Sequence, residues 1–283
     1  MNQEQAFLQS YNENPTPASF IKLIECLRSS NKASLIQELR LNYISTFSMN
    51  ENMWLQWLED EYAANKDSPL YKQLFSMALN DLPLSSKLHI FHIKNLNKEE
   101  RISAIEKAIE AIGDFDNTIW DFYRKEFPEK KGEIYEKQLS HPIPNYSNIL
   151  TEYNKQQEAS QQPLFTPTKE IQDAITTMKL HRMNFQTLTN CLEHLKTFSD
   201  EKSFEYALSL YPYESQIWIE YLNRFPSHAL AARAVRFCPK SGLVWAMYAK
   251  ITSKVNMNGF KLIKDITEAQ IYLSQLVILD KDN

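Results

Sequence analysis

The side chains that could do chemistry in this chain are few and scattered. His89 and His92 stand three residues apart in "LHIFHIK". On a helix that spacing puts two imidazoles on one face, where they could begin a metal site. A catalytic zinc needs three protein ligands and no third stands nearby, so the pair reads as ordinary helix-surface histidines. Cys191 and His194 in "NCLEHL" repeat the spacing. A thiol nucleophile needs an activating environment and an oxyanion site, and the plainer reading is a buried cysteine beside a surface histidine. Glu59, Asp60 and Glu61 in "WLEDEY" are consecutive, so on a helix they point in different directions and read as a solvated face. Cys238 lies in "RAVRFCPKSGLVWAMYAK", residues 233–250, beside Arg, Lys, Trp and Tyr. That stretch reads as two helices joined by a Pro-Lys-Ser-Gly turn, with Cys238 packing at the end of the first. The sequence holds no G-x-S-x-G, H-E-x-x-H, P-loop or G-x-G-x-x-G. No catalytic, metal-binding or cofactor-binding residue is assigned, no cofactor is expected, and the chain is expected not to be an enzyme.

The elements that would have to position such groups are helices. The 283 residues include only four glycines, Gly113, Gly132, Gly242 and Gly259, too few for the tight turns of a nucleotide-binding sheet or a barrel. Leu, Ile, Lys, Glu and Gln are abundant, which favours helix. The formal charge is −4. That balance argues against a dominant nucleic-acid surface, which would need a basic stripe. The Lys-rich stretch 123–138 is interrupted by Glu and reads as a solvated helical face. An aromatic platform for RNA needs exposed rings, and the rings here fall at core spacing. Three distant cysteines, with no C-x-x-C, suit a reducing compartment. No secretory signal opens the sequence, and no apolar run approaches a membrane span.

The large rings recur. Trp54 and Trp57, Trp120 and Tyr123, Trp218 and Tyr221, and Trp245 and Tyr248 are pairs three residues apart. Each pair forms one ridge on a helix. Weaker copies are Phe20/Leu23, Leu88/Phe91, Leu150/Tyr153 and Phe185/Leu188. The first members are spaced by 34, 34, 32, 30, 35, 33 and 27 residues. In phase with them stand small residues, Ala78, Ala108, Ala207 and Ala234, with Gln138 in the same place, 10 to 12 residues before the next ridge. Pro83, Pro142, Pro212 and Pro239 follow, because proline cannot continue the helix. Each unit therefore reads as helix A with a ring ridge, then helix B with a small residue that lets the axes approach. One such hairpin cannot bury its apolar face, so the units are expected to stack as an all-α solenoid in which each repeat touches only its neighbours. Asn97 with Glu100 predicts a capping box for a helix from about residue 98, and Ser199 and Asp200 predict a cap for the helix carrying Ala207. The polar, proline-bearing stretch 158–170 breaks the rhythm. It predicts a long loop inserted within one repeat, with an N-terminal sub-array, 1–157, before it and a C-terminal one, 171–283, after it.

The W..Y ridge, the "RA" pair and the "CP" turn at 233–248 resemble half-a-TPR (HAT) repeats, which belong almost wholly to eukaryotic RNA-processing proteins. "NMWLQWLEDE" and "IYEKQLSHPIPNYSNILTEY" are similar, more narrowly, to the U4/U6 small nuclear ribonucleoprotein recycling factors. The resemblance implies a superhelix of about seven to eight HAT hairpins, whose repeat signature here is Trp54, Trp57, Trp120, Tyr123, Tyr153, Trp218, Tyr221, Ala234, Pro239, Trp245 and Tyr248. It implies a nuclear scaffold for pre-mRNA splicing that holds splicing or RNA-processing proteins on a concave face lined by B helices. The family carries RNA-recognition motifs after its HAT array. None stands in this chain, which is expected to be the HAT portion of a longer plan. Association with the particle is then expected to be indirect or through such domains, with no membrane. Homodimerisation, a role in mRNA 3′-end cleavage and polyadenylation, and direct RNA binding by the array stay open as alternatives.

Overall fold

Small polar residues and prolines punctuate the chain, and the helices fall between them. The computed structural model describes residues 3–65, 68–198 and 200–281. Among the described residues the protein is all α, with eighteen helices, one short 3-10 turn (Pro128–Lys130) and no strand. In chain order the helices are α1 (Gln3–Glu13), α2 (Pro17–Ser29), α3 (Ala33–Ile44), α4 (Glu51–Ala64), α5 (Pro69–Asp81) and α6 (Ser86–Lys94). Next come α7 (Lys98–Ile112), α8 (Thr118–Glu126), α9 (Lys131–Leu139), α10 (Tyr146–Ala159), α11 (Lys169–Asn184) and α12 (Leu188–Thr197). The last six are α13 (Glu201–Leu210), α14 (Ser215–Arg224), α15 (His228–Phe237), α16 (Gly242–Thr252), α17 (Met257–Leu262) and α18 (Ile266–Lys281).

The ends have local causes. Thr16 and Ser19 form a reciprocal capping box on α2, with Pro17 as its first residue. Ser85, Thr168, Thr187, Ser227 and Ser241 each accept a first-turn amide of the helix they precede. Asp200 caps α13 through Oδ1, 3.0 Å from the Ser203 amide. Ser199 lies outside the described residues. Asn97 does precede α7, but its side chain makes no cap bond, so the expected box with Glu100 does not form; a backbone bond from Glu100 to the Asn97 carbonyl closes that turn. Helices α5, α9, α13 and α15 stop two or three residues before Pro83, Pro142, Pro212 and Pro239. The stretch between α10 and α11 is pinned at Phe165, whose amide donates to Asn154 Oδ1 at 2.9 Å while its carbonyl accepts from Asn154 Nδ2.

Helices that are neighbours in sequence pack together, as α1 with α2, α7 with α8 and α15 with α16 do. So do some next-but-one pairs: α6 with α8, α14 with α16, and α16 with α18. Ala78, Ala108, Ala207 and Ala234 are completely buried at these contacts. Each presents no side chain beyond Cβ, which lets the axes come close.

The chain divides into two compact units. One is Leu55–Pro212; the other joins Met1–Trp54 to Tyr213–Asn283. In the second unit the Ser48 amide donates to the Arg236 carbonyl at 3.0 Å. That contact departs from the expected stack in which each repeat meets only its neighbours. The stretch 158–170 lies within the unit Leu55–Pro212. Within the unit Leu55–Pro212, one apolar core runs from Ile93 through Trp120, Ile134 and Leu139 to Tyr153.

Candidate functional site

The ridge residues are core. Trp54, Trp57, Trp120 and Trp218 are fully enclosed, and Tyr123, Tyr153, Tyr221 and Trp245 are buried. Trp120 Nε1 donates to the Gly113 carbonyl, and Trp245 Nε1 donates to the Pro239 carbonyl at 2.9 Å, so neither ring carries an unpaired donor into the core. Tyr248 is half-buried and meets Trp245 edge-on at 5.9 Å. Ala234 is buried and Pro239 half-buried beside it in chain order. One weak copy was misread. Phe185 is the cap residue just after α11 and Leu188 begins α12, so they straddle a turn and form no common ridge. Thr187 is the cause, since its hydroxyl accepts the Asn190 amide and starts a new helix there.

The histidines also differ from their surface reading. His92 lies half-buried with its ring stacked on Phe75 at 3.9 Å. Burial, with the neighbouring His89 adding to it, pushes its pKa down to about 4. His89 Nε2 pairs with the Pro83 carbonyl at 3.2 Å. The two rings are thus occupied separately. His194 is 8% exposed and His181 6%, so neither is a surface residue. Their rings meet edge to face at 4.6 Å, with Phe198 stacked on His194 at 4.5 Å. Burial lowers the pKa of both. His194 Nδ1 faces the Asn184 amide at 3.2 Å. Cys191 is fully buried, and desolvation pushes its thiol up to about 11; Cys238 is pushed up to about 12. Both sulfurs therefore stay protonated at neutral pH and are poor nucleophiles. Glu59 is exposed, Asp60 is half-buried, and Glu61 accepts from Trp57 Nε1 at 3.3 Å. Among the described residues no cluster of three or more His, Cys, Asp or Glu could hold a metal ion, and no helix is long and apolar enough to cross a membrane.

Residues that carry polar work were missed in the sequence. The stretch 123–138 spans the end of α8 and all but the last residue of α9, and is no simple solvated face: Tyr123, Phe127, Ile134, Tyr135 and Gln138 are buried in it. Gln138, standing where other units have alanine, donates to Asn117 Oδ1 at 3.0 Å and accepts from Arg124. Arg124 also lies 4.4 Å from the Tyr135 ring centre and pairs with Asp121. Asp114 holds His141 at 2.8 Å, and Arg182 donates to the Asp114 and Pro142 carbonyls. These bonds satisfy buried and partly buried polar groups and tie α11 to the turns that follow α7 and α9. Gln138 was visible as an exception to the small-residue rule; its partners were not, being 14 and 21 residues away.

One concavity lies in the unit formed by Met1–Trp54 and Tyr213–Asn283. It is a groove of about 530 Å³. Tyr43, Phe47, Tyr213 and Phe237 supply aromatic walls. Arg236, Lys240, Asp265 and Glu268 supply charge. The two carboxylates are engaged in capping, since Glu268 Oε2 accepts the Gly242 amide at 2.6 Å and Asp265 Oδ1 accepts the Glu268 amide at 3.0 Å. Tyr213 is 63% exposed. Tyr43 is 1% exposed, stacked on Phe20, and its hydroxyl is buried without a hydrogen-bond partner. Burial drives that phenol's pKa well up, so it remains a donor.

A mouse (Mus musculus) protein described as "Spliceosome associated factor 3, U4/U6 recycling protein" is 22% identical to this chain over 293 aligned positions. The match covers 87% of this chain and 30% of the mouse protein. The chain thus spans about a third of the length of the curated relative it matches. No protein-family model matches the chain.

Proposed function

We propose that the chain is a protein–protein scaffold in nuclear pre-mRNA splicing, the HAT-type helical portion of a U4/U6 assembly or recycling factor, and not an enzyme. The observation that carries this reading is the similarity to a U4/U6 recycling protein along 87% of the chain. The architecture supports it, since the rings at the repeated positions serve packing and leave a helical surface available for partners. The burial that raises the pKa of Cys191 and Cys238 is in keeping with it, since a protonated thiol is a poor nucleophile. No cofactor is needed for holding partners, and none is assigned. The test is recovery of the tagged chain from nuclear extract, washed at physiological salt, with and without prior RNase digestion. The expected result is enrichment of U4/U6 particle proteins that survives RNase, together with U4 and U6 RNA in the untreated sample. Enrichment of 3′-end cleavage and polyadenylation proteins in their place would overturn the assignment.

A further inference from the structure

We infer that Thr166 is a phosphorylation site for a proline-directed serine/threonine protein kinase, which places a phosphate on the loop between α10 and α11 and leaves the fold intact. The site stands apart from the scaffold reading and does not depend on what the chain holds. It lies in the polar, proline-bearing stretch 158–170. The chain has three Ser/Thr-Pro pairs, Thr16-Pro17, Ser68-Pro69 and Thr166-Pro167. A kinase cleft that offers no hydrogen-bond acceptor just after the target hydroxyl selects proline there, because proline brings no N–H to be left unpaired. Of the three pairs, only Thr166-Pro167 has a cation three residues after the hydroxyl, at Lys169. Thr16 has Ser19 in that place and Ser68 has Tyr71. The run "TPTK" thus joins proline to a positive charge, and kinases select substrates by such charge patterns.

The structure separates the three pairs further. Thr16 is half-buried and its hydroxyl is occupied, accepting the Ser19 amide at 3.1 Å and donating to Ser19 Oγ at 3.0 Å. Ser68 Oγ accepts the Leu70 amide at 3.2 Å, and Tyr71 beyond it is buried. Each of these hydroxyls caps a helix that begins at the very next residue, α2 or α5, so the backbone after it cannot lie extended in a cleft. Thr166 is exposed, and its side chain has no hydrogen-bond partner among the described residues. Residues 162–168 are non-helical, and Pro163 and Pro167 hold the residues before them to extended backbone. The loop is anchored on both sides of the hydroxyl. Asn154 takes both backbone groups of Phe165, and Gln172 Nε2 donates to the Pro167 carbonyl at 3.1 Å. Thr168, and not Thr166, caps α11, so modifying Thr166 removes no cap. Lys169 is exposed and can meet an anionic site on the kinase.

In the step itself Thr166 Oγ1 attacks the γ-phosphorus of ATP. The new O–P bond forms as the bond from that phosphorus to the bridging oxygen breaks, ADP leaves, and the hydroxyl proton passes to the kinase's catalytic carboxylate. The experiment incubates the full folded chain with a purified cyclin-dependent kinase and magnesium ATP, and maps the product by tandem mass spectrometry. One phosphate is expected, on Thr166, with Thr16 and Ser68 unmodified. Thr166→Ala should abolish incorporation and Thr166→Ser should retain it. Lys169→Glu should slow it about ten-fold, by reversing the charge the kinase reads. Short synthetic peptides centred on the three sites separate sequence from structure. The Thr166 peptide should react at about the rate of the folded chain, within roughly three-fold, whereas the Thr16 and Ser68 peptides should react faster than those sites do in the folded chain. The phosphorylated chain should melt within about 2 °C of the unmodified one, because the added charge is at an exposed position. No incorporation, phosphate on Thr16 or Ser68 of the folded chain in place of Thr166, or reaction of Thr166 only in the peptide would each overturn the site. A larger drop in melting temperature would overturn the claim that the fold is left intact.

Discussion

Trp245 shows how one side chain is committed to structure. It is 3% exposed, its Nε1 is bonded to the Pro239 carbonyl, and Tyr248 meets its ring edge-on. Trp245→Ala should therefore cost roughly 3–5 kcal/mol in chemical denaturation. Cys238→Ala should cost less, because it removes a small buried thiol that stays protonated. Hydrogen exchange in Trp245→Ala should accelerate across 213–277 and also in 3–54, since both segments belong to one compact unit. Unchanged exchange in 3–54 would restore the strict nearest-neighbour array. The ring positions were legible in the sequence because burial of a large aromatic leaves a periodic trace. The histidines were not. His92 on Phe75 and His181 on His194 owe their burial to residues 17 and 13 positions away, and a local window cannot see such partners.

At the scale of elements, start and stop signals did most of the work. The prolines after α5, α9, α13 and α15 mark those ends, and Asp200 marks the start of α13. The break between α11 and α12 was hidden because Phe185 and Leu188 mimic a ridge across it. The crossing of α16 and α18 was hidden for a different reason: it depends on the absence of a side chain. A Cβ on Gly242 would lie 1.9 Å from the Glu268 carbonyl oxygen and 3.2 Å from the Tyr272 amide nitrogen, all backbone. A Cβ on Gly259 would meet the Tyr272 and Trp245 rings. Gly242→Ala raises helix propensity by about 1 kcal/mol, but the steric conflict is with backbone that cannot rotate away. The expected outcome is a net loss of about 1–3 kcal/mol in a denaturant titration. A stabilised Gly242→Ala would show that α16 and α18 do not approach so closely.

For the whole molecule, the charge balance and the placement of rings point the same way. Thirty-one basic and 35 acidic residues leave a formal charge of −4, and the repeated rings are spent on the core. Under the proposed function, such a chain would meet a ribonucleoprotein through its proteins, with RNA contacted weakly. The all-α class was legible from four glycines and a sustained period. The joining of Met1–Trp54 to Tyr213–Asn283 in one unit was not, because it arises from contacts far apart in sequence, such as Ser48 with Arg236. The groove was hidden with it, since its walls come from both segments. The most direct measurement is filter binding of the purified chain to deproteinised U6 RNA at about 0.15 M salt, beside the same titration with the native U4/U6 particle. The account predicts a Kd of about 10 µM or weaker for the bare RNA, near the nonspecific range, and distinctly tighter binding of the particle. Submicromolar, sequence-selective binding of the bare RNA by this chain would contradict it.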